Sequence, residues 1–155
     1  GNIRRCGLGG RVSAVTLDAL RPPPETPGEF QCVVCNPPYI PDGDVPNLDR
    51  SVRDFEPHLA LCGGADGYDF YTAILRHWRD ILAPGGRMYF EVGIGQAATV
   101  RAMMRAGEFE DVTVVPDTGG NRPGGVWDAG RNHLESVLWD SRCGTMGLTD
   151  KILKT

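Results

Sequence analysis

Four consecutive residues, Asn36-Pro37-Pro38-Tyr39, carry the groups best suited to grip a planar NH2. They follow Phe30-Gln31-Cys32-Val33-Val34-Cys35, an apolar run that reads as a buried strand. Proline cannot donate to a sheet ladder, so Pro37 and Pro38 end that strand and stiffen its exit. Asn36 is thereby set at the strand's carboxyl end, where open α/β sheets bind their ligands. The prolines keep the next carbonyls extended, and Tyr39 adds a flat aromatic face beside them. An amide carbonyl, a backbone carbonyl and a ring together form a clamp.

Such a clamp suits methyl transfer to an amino nitrogen. An amide or exocyclic amine delocalises its lone pair and is a poor nucleophile. Accepting both of its hydrogens, at Asn36 and at the Pro37 carbonyl, localises that pair and aims it at a methyl donor. Positioning and preorganised dipoles do most of this work, without a metal or a strong base. The plainer reading of the same residues is a strand followed by a stiff double-proline turn.

The surrounding elements must hold the clamp. At 155 residues the chain is one domain's worth and large enough for a core. Residues 11–16 alternate as a short strand, and 21–29, with Pro22-Pro23-Pro24 and Pro27-Gly28, form a surface loop. Residues 41–67 are irregular. Phe70, Ile74, Trp78 and Ile81 recur at helical spacing opposite Arg76, Arg79 and Asp80, and Ala83-Pro84-Gly85-Gly86 stops that helix. A buried strand over 87–92, a helix over 96–106 with Ala97, Val100 and Met104 inward, and a strand over 112–115 follow. A glycine-rich loop over 116–125 leads to a last short strand over 126–131, and the chain from His133 is ambiguous. This alternation predicts an α/β sheet.

Bulk properties narrow the class further. A net charge of −4 argues against general nucleic-acid affinity. No stretch approaches a membrane span, and the opening residues lack a signal core, so a cytoplasmic protein is expected. The five cysteines (6, 32, 35, 62 and 143) suit reduced thiols. Cys32 and Cys35 stand at i and i+3 of a strand, on opposite faces, and read as two core thiols.

A series of motifs then carries a family likeness. Asn36-Pro37-Pro38-Tyr39-Ile40-Pro41 is followed by Phe55-Glu56-Pro57, Ala60-Leu61 and Gly63-Gly64-Ala65-Asp66-Gly67. Leu82-Ala83-Pro84-Gly85-Gly86 and Glu91-Val92-Gly93 complete it. Over residues 10–131 the chain resembles the HemK/PrmC family, which methylates the glutamine side-chain nitrogen in the Gly-Gly-Gln loop of peptide-chain release factors. The resemblance implies S-adenosylmethionine as donor and a Rossmann-like class I methyltransferase sheet. Asn36, Pro37 and Tyr39 would be its catalytic residues. Pro38, Phe55 and Glu56 would join them in holding the substrate, and Asp18, Ala19 and Asn36 would meet the cofactor.

The likeness omits the family's glycine-rich cofactor turn and ribose-binding acid, and Gly7-Leu8-Gly9-Gly10 has no strand leading into it. Residues 1–142 are therefore expected to be the carboxyl-terminal part of a methyltransferase catalytic domain lacking its first two strands. Those strands would lie between 11–16 and 31–35. Residues 143–155 are expected to be a disordered tail.

Rival readings rest on Glu91-Val92-Gly93-Ile94-Gly95-Gln96-Ala97-Ala98, which follows a strand, opens a helix and spells a cofactor loop, with Asp117 placed as a ribose acid. One rival is a nicotinamide-binding unit. Another is a permuted DNA adenine or cytosine amino-methyltransferase. The HemK-like order explains the same residues as its fifth strand and turn, and also accounts for Phe55-Glu56-Pro57 and Gly63-Gly64. A third possibility is a non-catalytic remnant that binds a partner through the clamp. Asp54 and Glu56 read as cap or ion-pair residues, His58, His77 and His133 lack metal-ligand spacing, and Trp78 reads as core. The loop Gly119-Gly120-Asn121-Arg122 reads as flexible surface.

Overall fold

The computed structural model describes residues 1–24, 29–116 and 136–139. After a single helical turn, α1 (Asn2–Arg5), the first strand is β1 (Phe30–Cys35). Two short helices, α2 (Arg50–Arg53) and α3 (His58–Leu61), cross the segment after the clamp, and α4 (Asp69–His77) precedes β2 (Leu82–Val92). Helix α5 (Ala97–Ala106), β3 (Thr113–Pro116) and β4 (Ser136–Trp139) complete the order. The sheet runs β1-β2-β4-β3, with β1 and β2 parallel and β4 antiparallel to both of its neighbours. The fold is thus α/β around a parallel pair, and Asn36-Pro37-Pro38-Tyr39 follow at the pair's shared carboxyl end.

The parallel pair forms because both strands are apolar on the face that packs. Val33 and Cys35 from β1 and Met88, Phe90 and Val92 from β2 are buried. Helix α4 covers them with Tyr71, Ile74 and Leu75, and Trp78 at its carboxyl cap continues the same side, a spacing that stacks one face of a helix. The Tyr71 and Phe90 rings meet edge to face, 5.4 Å between centroids, a favoured aromatic geometry. Helix α5 adds Val100 and Met104 to the same core.

Several sequence expectations need correction. Residues 11–16 form no strand: the segment is irregular and pairs with no ladder among the described residues. Val15 is 70% exposed there, so alternation alone, without a neighbouring strand to pair with, does not make a β element. The helix expected to run to Ile81 ends at His77 and tightens into a 3-10 turn over Arg79–Ile81. Tyr71, rather than Phe70, is the aromatic residue it buries deepest. Ala83-Pro84-Gly85-Gly86 lies inside the irregular stretch of β2, where the register shifts between Phe30↔Leu82 and Cys32↔Arg87. Strand β4 falls in the region the sequence left ambiguous, inserted between β2 and β3. The expected strand over 126–131, Asp117, the loop at 119–122 and the tail at 143–155 lie outside the described residues.

Candidate active site

Asn36 stands at the carboxyl end of β1, exposed, while Pro37 directly behind it is buried. The strand ends there because the prolines cannot continue the ladder, and the chain crosses to a second partner instead. The amide of Ile40 donates to the Leu61 carbonyl at 3.0 Å, and Gly63 donates back to Ile40 at 2.8 Å, closing a parallel bridge between Ile40 and Cys62. Asp42 then donates to the Gly64 carbonyl at 2.9 Å. The clamp is therefore stretched between the sheet and the segment after α3.

Three glycines let that segment and the β2 turn approach Tyr39 at backbone distance. A Cβ on Gly63 would stand 2.8 Å from the Tyr39 Cα and 2.9 Å from the Pro38 carbonyl oxygen. One on Gly93 would stand 2.9 Å from the Tyr39 ring and 2.8 Å from Gln96 Oε1. Gly67, in the left-handed region at φ 82°, packs against the Tyr39 carbonyl and Gln96 Nε2. Two of the glycine motifs behind the family resemblance thus have a local physical cause: they make room for the clamp.

Gln96 ties these parts together. Its Oε1 accepts from the Gly93 amide at 3.0 Å and its Nε2 donates to the Tyr39 carbonyl at 2.9 Å, with the side chain buried. The residues read as a rival cofactor loop therefore serve in part as a brace for the clamp. On the other side, the register pairs Cys35 with Phe90, so Asn36 and Glu91 follow as neighbours at the ends of parallel strands. The Asn36 side chain hydrogen-bonds the Glu91 carboxylate, and the Glu91 carbonyl accepts from the Tyr71 hydroxyl at 2.8 Å. Burial pushes the Glu91 carboxyl above its ordinary range, and the bond from Asn36 offsets part of that rise. Burial and the neighbouring Glu91 charge both raise the Tyr39 hydroxyl.

The other expected site residues lie on other segments of the chain. Phe55 is 83% exposed after α2, and Glu56 beside it is exposed as well. Asp54 pairs with Arg50 at 3.0 Å and Arg53 at 2.9 Å, as an ion-pair residue should. Ala19 is buried in the core, where its carbonyl accepts from the Trp78 indole at 3.0 Å, and the Arg21 carbonyl takes the same donor. The Asp18 carboxylate is exposed and caps the Leu20 amide at 3.0 Å. Ala19 also forms part of the wall of an apolar cavity of about 270 Å³, shared with Val15, Leu17, Val33, Cys35 and Trp78. That cavity reaches β1 at Cys35, the residue before Asn36.

Reading the sequence did not bring Glu91 and Gln96 next to Asn36 and Tyr39. The available signal was topological: two strands pairing in parallel put their last residues side by side, which a reading one motif at a time does not see. Cys32 and Cys35 are free thiols, Cys35 buried and Cys32 half-buried with burial raising its pKa, in keeping with core thiols. Among the described residues no helix is long and apolar enough to cross a membrane.

No protein-family model matches the chain. Curated proteins do. It is 43% identical over 109 residues, 68% of its length, to a protein of Bradyrhizobium diazoefficiens named release factor glutamine methyltransferase. Proteins of the same name from Geobacter sulfurreducens and Clostridium botulinum are 45% identical over 59% of the chain and 35% identical over 77% of it. These matches cover 35%, 32% and 42% of the relatives, so the chain spans only about a third to two fifths of their length.

Proposed function

We propose that this chain, kin to part of the release factor glutamine methyltransferases of the HemK/PrmC family, contributes the substrate clamp to transfer of a methyl group onto a glutamine side-chain amide. The observation that carries the reading is Asn36: exposed at the carboxyl end of a parallel strand, backed by buried Pro37 and followed by a tyrosine whose carbonyl is pinned. The relatives' name, release factor glutamine methyltransferase, supports a release factor as the substrate. Its Gly-Gly-Gln loop is the segment that would enter the clamp, in the cytoplasm. The two-strand parallel pair, with its helices, supports a Rossmann-like class I sheet, to which two further strands would be added beyond β1.

In this mechanism the Asn36 carbonyl accepts one amide hydrogen of the glutamine and the Pro37 carbonyl the other. Pro38 keeps the exit rigid, and Tyr39 packs the glutamine's flat face. Phe55 and Glu56, exposed on the covering segment, would meet the release factor outside the clamp. Asp18 and Ala19 fit the adenine end of S-adenosylmethionine: Ala19 walls an apolar cavity, and its neighbour Asp18 keeps an exposed carboxylate. Asn36 would be the residue nearest the transferred group. When bound, S-adenosylmethionine would supply an electrophilic methyl group with its sulfur as the leaving group, and the proton displaced from the glutamine nitrogen would pass to water.

The test is methylation by a full-length protein carrying this segment, with Asn36→Ala alongside. Loss of the orienting bond should raise the barrier by about 3 kcal/mol, by analogy with a lost oxyanion-hole donor. Methylation of DNA with release factors left untouched would transfer the assignment to the DNA enzymes. Release factor binding without methyl transfer would leave a binding module.

A further inference from the structure

Asparagine is a two-faced clamp. Its amide oxygen and nitrogen are nearly the same size, so packing alone cannot decide which one faces a substrate, and only hydrogen-bond partners can. An oxygen turned toward the substrate accepts its hydrogen; a nitrogen turned the same way would present a donor to a donor.

Asn36 has a partner that settles the choice. Cys35 pairs with Phe90 in the parallel ladder, which brings Asn36 beside Glu91 at the ends of adjoining strands. Both lie on the face shared by Val34 and Tyr89, opposite the packed face of Val33, Cys35, Met88 and Phe90. The Asn36 side chain hydrogen-bonds the Glu91 carboxylate, which when ionised can only accept. The Asn36 nitrogen is therefore turned to Glu91, and the oxygen is turned away from it. Glu91 is itself held, since its backbone carbonyl takes the Tyr71 hydroxyl at 2.8 Å.

We propose that Glu91 is a positioning residue that fixes the polarity of the Asn36 amide, so that the carbonyl oxygen and not the amino group meets the substrate nitrogen. This rests on the reading of Asn36 as the clamp's acceptor and deepens it. A second consequence follows from charge. The substrate nitrogen becomes positive as it gains a methyl, and a carboxylate one amide away strengthens the acceptor that faces it.

The role predicts a specific pattern of loss and rescue in a full-length methyltransferase carrying this segment. Glu91→Gln offers an amide that both donates and accepts, so Asn36 turns over freely; kcat should fall at least tenfold with KM for the release factor within about twofold. Adding Asn36→Asp to Glu91→Gln should recover most of the loss, because a carboxylate at position 36 presents an acceptor in either orientation. A single variant with near wild-type kcat, or a double variant no better than the single, would overturn the proposal. A second measurement needs no substitution: the side-chain amide signals of Asn36, followed by nitrogen-15 NMR, should shift as Glu91 titrates. Among the described residues, the ionisable groups coupled to Glu91 are Tyr39 from the clamp and Tyr71 from α4, both raised by burial, while its β4 neighbour Val137 carries none. Neither tyrosine titrates on the acid side, so Asn36 signals that ignore the Glu91 titration would refute the coupling. Should the wild-type protein methylate no release factor, the functional reading fails, and the NMR titration still decides whether Glu91 orients Asn36.

Discussion

Gln96 reaches back across 57 positions to donate to the Tyr39 carbonyl at 2.9 Å, joining the N-terminal cap of α5 to the clamp at the end of β1. Its other atom accepts from Gly93 at 3.0 Å, so one buried side chain satisfies a donor in the β2 turn and an acceptor in the clamp. Gln96→Leu keeps the volume and removes both bonds. It should destabilise the fold by about 3 kcal/mol, because two polar backbone groups lose their partner. Urea unfolding measures this, and a change below about 1 kcal/mol would mean that water replaces the amide.

Gly63 makes a sharper steric prediction. A methyl there would meet the Tyr39 Cα at 2.8 Å, the Gly67 Cα at 2.9 Å and the Pro38 carbonyl at 2.9 Å, all of them backbone. No flexible side chain can move aside. Gly63→Ala should destabilise by roughly 1–3 kcal/mol and displace the clamp, lowering activity beyond what the stability loss explains. Equal thermal melts and equal turnover for variant and parent would contradict this.

The sequence made legible what depends on neighbours along the chain. Pro37 and Pro38 announced the end of β1, and the spacing of Val100 and Met104 announced the buried side of α5. What it hid depends on partners elsewhere. Residues 11–16 alternate like a strand yet pair with none among the described residues, whereas Ser136–Trp139, too short to stand out, is drawn into the sheet between β2 and β3. The strand end and stiff exit at Asn36 to Tyr39, to which we assign the clamp, were legible as well. Its braces were not, because Glu91 and Gln96 take their roles from register and from a turn, and the same letters also spell a cofactor loop.

Trp78 links the amino-terminal segment to the core. Its single indole N–H is shared at 3.0 Å by the carbonyls of Ala19 and Arg21, which holds residues 18–21 against α4. Replacing it by Phe keeps an aromatic ring but leaves the carbonyls without that donor. Stability should fall by about 1–3 kcal/mol. Hydrogen exchange should quicken at residues 18–21 more than in β2, and uniform quickening across the chain would instead mean that Trp78 acts only as core.

The last prediction concerns pH and Glu91, whose carboxyl burial raises above 4.5 despite the bond from Asn36. The folded protein therefore holds this proton more tightly than the unfolded chain does. The stabilisation this brings is complete below about pH 4.5 and is lost as pH rises through the raised value. Glu91→Gln removes that titration. Its melting temperature should exceed the wild type's by more at pH 7 than at pH 4, even as the substitution loosens the clamp and slows turnover. The pairing of higher stability with lower activity is what a charge kept for orientation rather than for packing should produce. Parallel melting curves from pH 4 to pH 7 would show that Glu91 titrates normally. A gap that widens toward acid would show its pKa depressed instead, with the Asn36 bond stronger than the burial that opposes it.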